Sequence, residues 1–125
     1  MAGIKGQKPG KTDKPWGYEL LFAKTEQYAG KVIFIKKGSR LSLQYHNKKD
    51  ESIYVYDGEL RLEIEGQGGV MFSPVLQRGE AMRIQPLTRH RMEAIQDTFI
   101  FEVSTPELDD VVRLEDDYGR AGKTT

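Results

Sequence analysis

The sequence predicts an all-β domain, and three observations predict it. Between Pro15 and Ser104 the chain is a succession of short runs, about nine of them, most rich in Val, Ile, Phe and Tyr and divided by turn signals. Leu60-Arg61-Leu62-Glu63-Ile64-Glu65 alternates apolar and charged residues, the pattern of an antiparallel strand with one wet face. No segment before residue 106 keeps a helical period over about three turns.

The runs cover residues 18–23, 31–36, 41–46, 52–56, 59–65, 70–74, 81–84, 90–94 and 98–104. The dividers are the turn-forming stretches 28–30, 37–39, 57–58, 66–69, 78–80 and 96–97. Asp57-Gly58, between two runs, is a strong hairpin signal. After the last run Thr105 can cap a short helix and Pro106 can open it, with Leu108, Val111 and Val112 as its apolar stripe. Residues 1–13, Gly- and Lys-rich without periodicity, predict a flexible arm, and residues 121–125 a frayed tail. About nine evenly spaced strands suit a sandwich, a small barrel or a double-sheet jelly roll, and composition does not choose among them.

Size and charge narrow the function. With 125 residues the chain is one domain, large enough to bury a core without staples. Lys and Arg number 19, as do Asp and Glu, so no global field draws the chain to nucleic acid or to an acidic membrane. Nor is there an aromatic and basic strand signature for nucleic acid. The absence of cysteine excludes disulfides and thiolate chemistry and fits a reducing cytoplasm. No apolar run approaches the roughly 18 residues of a membrane span, and residues 1–13 lack the apolar stretch of a signal peptide or anchor.

The residues that carry chemistry are few. There are two histidines, His46 and His90. In a strand, residues two apart face the same way, so Gln44 and His46 share a side with Ser42. Glu51 opens the next run, where an antiparallel neighbour can aim its carboxylate at the same spot. An amide oxygen, an imidazole nitrogen and a carboxylate converging in this way suit a metal ion. The bland alternative is a pair of structural histidines and a strand-end carboxylate. Without a cation, however, a buried Glu51 would tend to lose its charge. Arg78, Arg83, Arg89 and Arg91 cluster around the second histidine, either as a solvated face or as an anion clamp, since Arg pairs bidentately with phosphate.

The spacing Gly38, five residues, Gln44, one residue, His46, four residues, Glu51, six residues, Gly58 resembles the first sequence motif of the cupins, with Gln44 in place of the usual first histidine. Gly79, Gln85, Leu87 and His90 keep the spacing of the second motif, although Gln85, Leu87 and Ala94 replace its usual proline, glycine and asparagine. Lys14-Pro15-Trp16-Gly17-Tyr18-Glu19, Leu41-Ser42-Leu43-Gln44-Tyr45-His46 and the segment 112–120 further resemble the cupin domain of type II mannose-6-phosphate isomerases. These landmarks span residues 14 to 120, in order.

The resemblance implies a cupin-type double-stranded β-helix, a jelly-roll barrel over residues 14–120, here with a short C-terminal helix. It implies that Gln44, His46, Glu51 and His90 hold one divalent metal, zinc in preference to Mn, Fe, Co or Ni. It implies a sugar-phosphate aldose–ketose isomerase, with Lys31 and Arg120 as candidate catalytic residues and Arg40, Arg113 and Tyr118 as candidates for the substrate, to which the arginine cluster adds Arg83 and Arg91. The sugar phosphate is a small-molecule partner, and exposed edge strands suggest a second copy of the chain as another. Departures are also visible. Asn47-Lys48-Lys49-Asp50 replaces a His- and Arg-rich stretch, and Ser52-Ile53 stands where His-Trp is usual. They leave open a non-catalytic module that binds a sugar or small anion. An iron oxygenase on the same scaffold is a third class, because four ligands leave coordination positions open.

Overall fold

A computed structural model of the chain describes residues 3–122, so Met1, Ala2 and the last three residues of the expected tail lie outside the described residues. Twelve strands follow in chain order. They are β1 (Lys11–Lys14), β2 (Gly17–Lys24), β3 (Ala29–Ile35), β4 (Leu43–Tyr45), β5 (Glu51–Asp57), β6 (Glu59–Glu65), β7 (Met71–Phe72), β8 (Val75–Gln77), β9 (Ala81–Ile84), β10 (His90–Ala94), β11 (Thr98–Ser104) and β12 (Val112–Glu115). One sheet has the order β1-β2-β3-β11-β5-β9 and the other β12-β4-β10-β6-β7, with β8 also paired to β6. All pairings are antiparallel.

Alternation within the strands makes the core. Ile53 and Val55 of β5, Leu60 and Leu62 of β6, Ile33 and Ile35 of β3 and Ile100 of β11 are all buried between the sheets with Trp16. Each such side chain contributes about 1.5–3 kcal/mol relative to exposure. The same alternation reaches the ends of the strands, where the inward positions turn polar. His90 is fully buried and Glu51 is 3 % exposed. The core therefore continues directly into the chemistry.

Three expectations are corrected by the fold. Asp57-Gly58 is not a hairpin, because β5 pairs with β11 and β9 while β6 pairs with β10 in the other sheet. The dipeptide is the corner where the chain changes sheets. Gly58 has φ +98°, and a Cβ there would stand 2.4 Å from the Asp97 carbonyl oxygen. The helix expected after Thr105 is not formed. Residues 106–111 close short backbone bonds, Leu108 to Pro106, Asp110 to Glu107 and Val111 to Asp109, and run on into β12. Asp110 has other work: its carboxylate accepts the backbone N–H groups of Asn47, Lys48 and Lys49. Finally, the part of the expected N-terminal arm from Lys11 to Asp13 lies in strand β1, paired with β2.

Candidate metal centre

His90 opens β10 and stands in direct cross-strand register with Gln44 of β4. Arg113 of β12 is the register partner of Gln44 on its other side. One row of one sheet thus carries an imidazole, an amide and a guanidinium on a common face. Glu51 arrives from the opposite sheet as the first residue of β5. His46 follows β4 directly. Its Nε2 lies 3.3 Å from Glu51 Oε2, and His90 Nε2 lies 3.9 Å from Glu51 Oε1. The rings of the two histidines sit with centroids 5.2 Å apart. One ligand atom each from His46, Glu51 and His90 falls within 4.8 Å of the others.

The second contacts of the rings fix which nitrogen faces the centre. His46 Nδ1 meets the Asp110 carbonyl oxygen, and His90 Nδ1 meets the Thr88 carbonyl oxygen at 2.9 Å. A carbonyl can only accept, so both Nδ1 atoms carry the proton. Nε2 is left either as a lone pair for an ion or, with a second proton, as a donor to Glu51. Backbone carbonyls behind metal-ligating histidines are the usual means of orienting them. His90 Nε2 is buried without a hydrogen-bond partner among the described residues. A fully buried polar atom left unsatisfied is costly, and a metal ion at the shared position removes the cost. The donor set therefore fits a divalent ion, and the residues that would hold it are His46, Glu51 and His90, with Gln44 beside them.

Sequence reasoning missed the charges that surround this centre. Lys49 is 5 % exposed, with its Nζ 2.9 Å from Glu51 Oε2 and 3.1 Å from Glu102 Oε2. Glu102 is buried on β11, where its register partners are Lys31 of β3 and Ile53 of β5. Lys31 Nζ in turn lies 2.9 Å from Glu19 Oε1. A ladder of alternating charge thus runs along the wall from Glu51 to Glu19. Burial works against the Glu51 carboxylate, but His46 beside it and the Lys49 and His90 charges outweigh burial and hold its pKa down at about 2. Burial pushes the Glu102 carboxyl up, and neighbouring Glu51 adds to the rise. Burial would lower the Lys49 ammonium, but Glu102 and Glu51 lift it well above its ordinary value. The only signal in the sequence was the position of Lys49, two residues before Glu51.

A cavity of about 480 Å³ opens onto the centre, within the range of small-molecule sites. Lys31, Gln44, His46, Glu51, Arg113 and Arg120 line it, so the structure brings six of the expected residues together. Arg120 is held by Asp116 through Nε at 2.9 Å and Nη2 at 3.1 Å. His90, Arg40, Arg83, Arg91 and Tyr118 are not among the lining residues, His90 being fully buried behind Glu51. The period of two explains the arginines on strands. With Ile84 and Met82 packed in the core, Arg83 turns outward to a bidentate pair with Asp50. With His90 and Met92 facing in, Arg91 turns out to the Leu41 carbonyl oxygen and Asp117. Arg40 converges on the same Asp117, and Tyr118 lies against the Arg120 guanidinium.

Two antiparallel sheets closed around a His/Glu/His cluster define a cupin. Solved structures agree on the fold. KdgF from Halomonas sp. superposes with a TM-score of 0.71 at 22 % identity, over 80 % of this chain and 90 % of that one. An RmlC-like cupin from Shewanella frigidimarina gives 0.71 at 17 % identity, over 87 % and 94 %. An oxalate decarboxylase variant of Bacillus subtilis gives 0.75 at 16 % identity, over 90 % and 33 %. The chain belongs to the mannose-6-phosphate isomerase C-terminal family, whose model matches residues 5–116. Among curated proteins it is 34 % identical over 113 residues to the mannose-1-phosphate guanylyltransferase ManC of Salmonella typhimurium strain LT2, covering 86 % of this chain. The chain spans about a fifth (22 %) of the length of that relative.

Among the described residues, no helix is long and apolar enough to cross a membrane.

Proposed function

We propose that the chain is a metal-dependent aldose–ketose isomerase of a sugar phosphate, with mannose 6-phosphate as the first substrate to test. The observation that carries this reading is the joining of two features: His46 and Glu51 of the His46/Glu51/His90 cluster open onto a cavity whose wall also bears Lys31, Arg113 and Arg120, with His90 buried behind them. Two imidazoles, a carboxylate and an amide suit zinc, although Mn, Fe, Co and Ni accept the same donors. When bound, the ion would supply a Lewis acid that polarises the sugar's carbonyl. Isomerisation then needs one proton moved between adjacent carbons. Lys31 would move it at Nζ as the neutral amine, after its ammonium passes one proton to the Glu19 carboxylate 2.9 Å away; Nζ would take the proton from one carbon and return it to the next. Arg113, beside Gln44 in the strand row, would hold the phosphate, and Arg120 would close over it.

The test is the interconversion of hexose or pentose phosphates by the zinc-loaded chain, followed by exchange of the sugar proton in deuterated water. Turnover of mannose 6-phosphate supports the reading. A zinc-loaded protein that interconverts no aldose and ketose phosphate pair contradicts it. A second reading is a non-catalytic module that binds a sugar phosphate. It is favoured by Asn47–Asp50 departing from the family's basic stretch and by Lys49 already engaging Glu51. Saturable binding of mannose 6-phosphate without proton exchange would select it.

We propose further that the working unit is a homodimer in the cytoplasm. The outer face of the first sheet supports the dimer. Tyr54, Tyr56, Phe101 and Val103 are exposed there, next to Val32, Phe34 and Phe99. The three strands that carry them, about 4.8 Å apart and roughly 20 Å long, cover about 290 Å² in plan. That is the size of the largest apolar patch on a typical monomer, so a dimer with ~800 Å² per partner would also draw on the flanking strands β2 and β9. The lack of cysteine suits the reducing compartment.

A further inference from the structure

We propose that Lys49 is a resident counter-cation that competes with the metal ion for Glu51, and that Glu102 is the carboxylate that receives Lys49 when the ion binds. The inference rests on the reading of Glu51 as a metal ligand.

The geometry carries it. The Lys49 ammonium is buried, although Lys49 lies in the connection between β4 and β5. It got there because the loop is fastened: Asp110 accepts the backbone N–H groups of Asn47, Lys48 and Lys49 at 3.0, 2.6 and 3.0 Å. With the backbone tied to Asp110, the Lys49 side chain goes inward, to 2.9 Å from Glu51 and 3.1 Å from Glu102. A buried ammonium is tolerated only when paired. Here it has two carboxylates, and only one of them belongs to the candidate metal cluster.

The consequence is a shared ligand. Without an ion, the Lys49 charge neutralises Glu51 and keeps the centre assembled. With an ion, the ammonium and the metal charge repel each other at close range in a poorly screened site. Glu102 lets Lys49 release Glu51 and stay paired. Glu102 thus sets how cheaply the metal takes Glu51, and Lys49 sets how much the metal must displace. Both are positioning residues, and the readout is affinity for the ion, independent of turnover.

The experiment measures zinc affinity of the chelator-stripped full chain by competition with a chromophoric chelator. Wild type is compared with Lys49→Met, Lys49→Gln, Glu102→Gln and His90→Ala, each checked for fold by circular dichroism. Either Lys49 variant is expected to bind zinc about tenfold or more tightly than wild type, because the competing charge is gone. Glu102→Gln is expected to bind about tenfold or more weakly, because Lys49 then rests on Glu51 alone. Zinc affinities of the folded variants within about twofold of wild type, or shifted in the opposite directions, overturn the proposal. If wild type binds zinc, His90→Ala loses it and the Lys49 and Glu102 variants do not move, the metal centre stands and only this inference falls. If wild type binds no zinc, both fall.

Discussion

Gln44 and His90 stand directly opposite each other in the β4–β10 ladder, so the amide and the imidazole start from one row of one sheet. Two sequence motifs about forty-five residues apart become neighbours by strand pairing alone. Glu51 has only to reach across from the facing sheet to complete the set. The arrangement places the ligands on rigid backbone, as an accurate metal site requires.

His90→Ala should lower zinc affinity by about a hundredfold or more, since loss of an outer partner of a ligand already costs 10–100-fold. The cavity left at a fully buried position should also lower metal-free stability, by about 2 kcal/mol. Chelator competition and urea unfolding measure the two effects separately.

Stability without metal should fall with acid in two stages. Burial depresses His90 from its ordinary 6.5, so the unfolded chain binds a proton that the folded chain resists. The contribution of neutral His90 is whole above pH 6.5 and declines as pH falls below it. Glu51 and Asp110 are both depressed to about 2, from 4.5 and 3.8. For Asp110, burial is opposed by the three backbone N–H groups of residues 47–49. Their contribution is present above the ordinary carboxylate range and lost as pH drops toward 2. Glu102, raised by burial, works in the other direction and blunts the lower stage. Urea midpoints from pH 7 to 3 should show this decline, and Asp110→Asn should flatten the part below pH 4. A midpoint independent of pH over that range would contradict it.

Leu87→Gly should stabilise the protein. Leu87 is the one non-glycine residue with positive φ among the described residues, at +67°, and its side chain is 64 % exposed. The left-handed region costs a branched residue about 1–2 kcal/mol, against about 0.5–1 kcal/mol of extra chain entropy for glycine. A net gain of up to about 1 kcal/mol is expected by chemical denaturation. A loss would mean that the exposed Leu87 side chain contributes more than its backbone strain.

Phe101→Glu should separate the proposed dimer. Phe101 is 38 % exposed on the outer face of β11 and packs edge-on against Tyr56 at 5.4 Å. A charge at the centre of that face should shift the mass from two chains to one by light scattering, with an unchanged circular dichroism spectrum. A wild-type chain that is monomeric at micromolar concentration would contradict the dimer.

Particular residues show what the sequence makes legible. The spacing of Gln44, His46 and Glu51 implies their convergence because strand alternation is local and rigid. The second histidine follows from the same motif logic. Lys49 was not legible as a buried group, because its placement depends on Asp110, some sixty residues away. The same tether explains the missing helix: Thr105 and Pro106 carry a sound local start signal, but the segment is spent bracing the loop before Glu51. Asp57-Gly58 has the composition of a hairpin, and only pairing across the whole barrel reveals it as a change of sheet. The outward turn of Arg91, by contrast, was available from the start, since its neighbour His90 faces in.

The central claim is that one cation is held jointly by the two sheets. A crystal structure of the zinc-loaded chain, with anomalous data collected on either side of the zinc absorption edge, tests it most directly. The account predicts one anomalous peak within about 2.0–2.3 Å of His46 Nε2, His90 Nε2 and a Glu51 oxygen, with the Gln44 oxygen turned toward it. A zinc-loaded crystal with no peak between these side chains, or with the peak on surface groups alone, would contradict it.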